Sequence, residues 1–80
     1  MNTVQKYFRV NPRDMVYVKS IVESYGGLAV LSTLDRQNGI MVWMIPPHRL
    51  KETEELIASL KKEVTLEPVD PTQYNPSRGR

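Results

Sequence analysis

Between Gly39 and Pro46 the chain reads Ile-Met-Val-Trp-Met-Ile, apolar at every position from Ile40 to Ile45. Successive side chains of a strand point to opposite faces, so a strand of this composition needs cover on both. The run is far too short to span a membrane. It predicts a strand inside a sheet, with one face packed on the domain's own core and the other calling for a second layer.

The flanking residues give the neighbouring elements. "DRQNG" (Asp35 to Gly39) reads as a hairpin turn, with Gly39 supplying a positive φ. The partner strand is "LAVLSTL", residues 28–34. Pro46 and Pro47 stop the apolar strand and open a helix over about 47–62, with Leu50, Leu56, Ile57 and Leu60 turned inward. Upstream, "QKYFRV" (5–10) is a short strand. "NPRD" follows it: Asn11 suits a cap, Pro12 the first helical position, and Asp14 the positive end of the helix dipole. Met15, Val18, Ile21, Val22 and Tyr25 then recur at helical spacing over about 12–25, and Gly26 and Gly27 end the helix. "VTLEPV" (64–69) closes the set as a short strand whose Pro68 suits an edge.

Strand, helix, strand, strand, helix, strand, with short connections and right-handed crossovers, is the α+β ferredoxin-like βαββαβ sandwich. Two helices cover one face of a four-stranded antiparallel sheet of order 4-1-3-2. One domain is expected over 1–69, with a polar tail over 70–80. At 80 residues the domain is small enough to gain from association with a second copy.

If Leu34 lies opposite Ile40, then Leu28, Val30, Ser32, Leu34, Ile40, Val42 and Met44 share a face. With Phe8, Val10, Val64 and Leu66, this mostly aliphatic set is assigned to the helices. The opposite face then holds Tyr7, Arg9, Leu31, Met41, Trp43 and Ile45 as a candidate interface, apolar at the centre and polar at the rim. The expected function is a non-catalytic interaction or regulatory module, a homodimer through this face. The alternative is single-stranded RNA binding, with bases stacked on Tyr7 and Trp43 of the two central strands. Against it, the third strand lacks the Lys/Arg-Gly-aromatic pattern of RNA-recognition domains. The formal charge of +2 is spread along the chain without a basic stripe.

Little else carries chemistry. The chain has no cysteine, which excludes disulfides and thiolate metal sites and fits a reducing cytoplasm. "MNTVQKYF" lacks the apolar core of a secretion signal. His48 is the only histidine and stands without a partner motif. Asn11 and Arg13, at the start of the first helix, are weak candidates for an anion, though local capping is the simpler role. No catalytic residue, metal or cofactor is expected.

"YGGLAVLSTLD" and "MIPPHR" resemble a family of short bacterial proteins known as a domain of unknown function, over about residues 5–69. At the level of the fold the chain is also similar to ACT-type regulatory domains. That resemblance implies a dimer with an amino acid or another small-molecule ligand at its interface.

Overall fold

A computed structural model describes residues 3–70. The expected tail over 70–80 lies outside the described residues from 71 onward. The strands are β1 (Val4–Arg9), β2 (Val30–Asp35), β3 (Ile40–Ile45) and β4 (Glu67–Pro68), and the helices are α1 (Met15–Glu23) and α2 (Leu50–Leu60). The sheet is antiparallel, of order β2-β3-β1-β4. This is the ferredoxin-like order of elements.

Each helix is entered through a single 3-10 turn that starts at proline, Pro12–Asp14 and Pro47–Arg49. Proline fits there because its missing N–H has no intrahelical partner to lose. The Asn11 side chain accepts the Arg13 backbone N–H at 3.1 Å, the expected cap. Gly26 and Gly27, at φ +57° and +76°, carry the chain out of α1 toward β2. Thr53 is fully buried inside α2 and donates its hydroxyl to the Arg49 carbonyl at 2.8 Å. A polar group is tolerated there because it is paired.

Gly39 ties the hairpin to β1. Its carbonyl accepts the Val10 N–H at 2.8 Å. A Cβ on Gly39 would fall 1.7 Å from the Val10 carbonyl oxygen, and its φ is +72°. Only glycine satisfies both conditions. The hairpin also contains a bulge. Val30 to Thr33 pair with Met44 to Met41, but Asp35, not Leu34, faces Ile40. The register assumed from Leu34 and Ile40 thus holds along the strand and shifts by one residue at the turn.

One core lies between the helices and the sheet. Met15, Val18 and Val22 of α1 and Leu56, Ile57 and Leu60 of α2 pack with Phe8, Val10, Leu31, Met41, Trp43 and Ile45. Trp43 is fully buried, and its ring meets the edge of Phe8 with centroids 5.9 Å apart and planes at 68°. Such an edge-to-face pair is a favoured aromatic geometry.

Candidate interaction surface of the sheet

This core corrects the expected assignment of faces. Leu31, Met41, Trp43 and Ile45 are buried beneath the helices and do not form the centre of an exposed surface. The reason lies in the pairing of β1 with β3. Phe8 is opposite Met41 and Lys6 is opposite Trp43. Residues directly opposite share a face, so the helix side of Phe8 is also the side of Met41 and Trp43. Because β3 is apolar on both sides, alternation within it could not choose between them. The informative strand was β1, where Phe8 and Val10 alternate with the polar Gln5, Tyr7 and Arg9.

The face turned away from the helices therefore carries Gln5, Tyr7 and Arg9 from β1, Ile40, Val42 and Met44 from β3, and Val30 and Ser32 from β2. Tyr7 and Arg9 stand on it, as expected. Arg9 is exposed and pairs in register with Glu67 of β4. Val42 sits between Tyr7 and Ser32 in register and is only 7% exposed. Tyr7 and Met44 are half-buried, and the Tyr7 hydroxyl donates to Gln5 Oε1 at 3.1 Å. Val30, assigned to the core by alternation, is instead 63% exposed. Neither helix packs here, since the buried residues of both belong to the cluster on the other side.

Trp43's burial also removes the aromatic pair on which RNA stacking depended. Among the described residues Tyr7 is the aromatic side chain left on this face.

The other candidates resolve into local contacts. The Arg13 N–H that an anion would need is taken by Asn11. His48 is exposed. Arg49 donates to both carboxylate oxygens of Glu52, at 2.8 and 3.2 Å, which holds the Glu52 carboxyl below the usual carboxylate range. In the hairpin turn Asp35 accepts the Asn38 side-chain amide at 2.7 Å and its backbone N–H at 3.1 Å. These bonds lower the Asp35 pKa. Tyr17 donates to Glu63, which raises the Tyr17 pKa. All are exposed pairs that fasten turns and helix ends. Among the described residues no group of three or more His, Cys, Asp or Glu could hold a metal ion. A mainly apolar groove of about 480 Å³ separates α2 from the β1–β4 edge, lined by Phe8, Ile57, Ala58 and Val69, with Lys6 and Glu54 3.7 Å apart at its mouth.

Residues 8–64 match the family described as "Domain of unknown function (DUF4911)". The chain belongs to this family. The match takes in both helices, the hairpin and all of the core strand β3, and leaves most of β1 and all of β4 outside it. No curated protein and no solved structure matches the chain.

Proposed function

We propose that this DUF4911 domain is a small non-catalytic interaction module that works as a homodimer joined through its sheet. The observation that carries the reading is the side of the sheet on which no helix packs, where Tyr7 and Met44 are half-buried and Val30 is 63% exposed, with Val42 buried between them. It has an apolar middle and a rim of Gln5, Arg9, Ser32 and Glu67. Surfaces of this composition are found at interfaces, and a domain of 80 residues gains stability by covering one.

A non-catalytic role is supported by where the polar chemistry sits. The perturbed groups, Tyr17, Asp35, Arg49 and Glu52, are exposed or half-buried and each is engaged by a near neighbour or a helix end. They do not converge on a cleft, which is where shifted pKa values point to catalysis. Among the described residues no helix is long and apolar enough to cross a membrane. The absence of cysteine supports a cytoplasmic setting.

Sedimentation equilibrium of the full chain over a wide concentration range tests the homodimer. A mass rising from one copy to two is expected. A single-copy mass at every concentration would overturn the reading.

A further inference from the structure

The two edges of the sheet are built differently. At one side β4 is two residues long and includes Pro68. Its inner bonding is fixed by the Val69 N–H, which donates to the Tyr7 carbonyl at 3.0 Å. Peptide groups alternate along a strand, so Pro68 turns its nitrogen outward. A further strand would find no donor there. A short edge bearing an outward proline is a common way of blocking strand addition.

The other edge, β2, has no such protection. It runs for six residues, Val-Leu-Ser-Thr-Leu-Asp, without proline or lysine, and its single bulge is at the turn end. The same alternation gives its outward groups. Tyr7 points its peptide groups toward β4, so Phe8 and Lys6 point toward β3 and bond Met41 and Trp43. Val42 and Met44 then bond Ser32 and Val30. Leu31 and Thr33 are left with N–H and C=O directed away from the sheet. Among the described residues no strand accepts them.

We propose that a second copy of this chain pairs with β2, antiparallel, about a two-fold axis at Ser32. This inference rests on the homodimeric reading alone and moves the join from the sheet face to the β2 edge beside Val30, leaving Tyr7, Val42 and Met44 outside the contact. The segment is self-complementary about that axis. Leu31 of each copy bonds Thr33 of the other, Ser32 meets Ser32, and the exposed Val30 faces Leu34. Lys19 and Glu23 of α1 line a hollow against β2 together with Val22, Ala29 and Leu31. A two-fold axis reverses the neighbouring α1, so the two copies of this stretch, each carrying one Lys and one Glu, run past each other in opposite directions.

Because the chain lacks cysteine, a single introduced thiol reports the geometry directly. Ser32 is exposed and on the axis, in a non-hydrogen-bonded pair whose Cα atoms stand about 4.5 Å apart, within disulfide reach. Val30 would be about 14 Å from its own counterpart, beyond that reach. In a glutathione redox buffer, full-length Ser32→Cys should form covalent dimer at least about tenfold faster than Val30→Cys, since only the first pair meets disulfide geometry. Tyr7→Cys, on the open face, should remain as slow as Val30→Cys. Fastest cross-linking through Tyr7→Cys would overturn the edge pairing in favour of a face-to-face dimer. Equal slow rates for all three variants, with a wild type that sediments as a dimer, would overturn the edge pairing and leave the homodimer standing. A wild type that sediments as one copy would remove the homodimer itself.

Discussion

Trp43 decides how the surface is read. Its side chain is fully buried and packs edge-on with Phe8, so truncation removes the largest group of the core. Trp43→Ala is expected to cost about 3–5 kcal/mol of folding stability. Against a total towards the low end of about 5–15 kcal/mol for a domain this small, that leaves the variant with little margin of stability. Far-UV circular dichroism with urea titration checks this, and a folded Trp43→Ala with weakened association would put the indole back at an interface. Its Nε1–H is buried with no partner among the described residues. An unpaired buried donor costs about 1–3 kcal/mol. Trp43→Phe discards that donor along with some volume, and the two effects oppose each other. Its stability should fall within about 1.5 kcal/mol of wild type in the same titration. Gly39 is the opposite case, a residue that nothing can replace. Gly39→Ala adds a left-handed strain of about 1–2 kcal/mol and a collision with the Val10 carbonyl, so a loss of about 2–5 kcal/mol is expected.

Among the elements, the hairpin turn has a pH signature. Asp35 is held below the ordinary carboxylate range by the two bonds from Asn38. A carboxyl whose folded pKa is lowered stabilises the fold above its unfolded pKa. That contribution is lost as pH falls through the lower, folded value. Asn38→Ala should move the Asp35 titration upward toward the ordinary range, read by NMR of the side-chain carboxyl. An unmoved midpoint would show that the Asn38 side-chain amide is not the cause and leave its backbone N–H. Much of this element structure was legible in the sequence. The order of elements, the sheet order, both proline-led helix starts and the limits of β3 follow from caps, turns and periodicity. Three things did not. The helices end two residues earlier than expected, because the last turns tighten to bonds from Tyr25 N–H to the Val22 carbonyl and from Lys62 N–H to the Ser59 carbonyl, with both residues exposed. The last strand shrinks from 64–69 to Glu67–Pro68, since β sequence alone does not say how much of a run finds a partner. The faces of β2 and β3 were inverted, because a strand apolar on both sides has no preferred side until its neighbour's register is known. Two of six candidate surface residues, Tyr7 and Arg9, were placed on the right face, both from the one strand whose alternation is unambiguous.

For the whole molecule, the difference between its two edges sets a limit on number. A chain with two receptive edges can add copies at both ends and has no reason to stop; that is the route to ribbons and fibres. Here Pro68 withholds a donor at one end of the sheet. In the proposed dimer the receptive β2 would be consumed by its own counterpart, and the assembly would be closed and finite at two. In that dimer the proline that looks like a local irregularity in a two-residue strand would act as a terminator. Replacing it should show this: Pro68→Thr restores the outward N–H and is expected to yield species larger than two copies at high concentration, visible by light scattering. Wild-type-like scattering from that variant would place the stop elsewhere. The single ring of Pro68 would in that case not be what separates the proposed pair from an open-ended polymer.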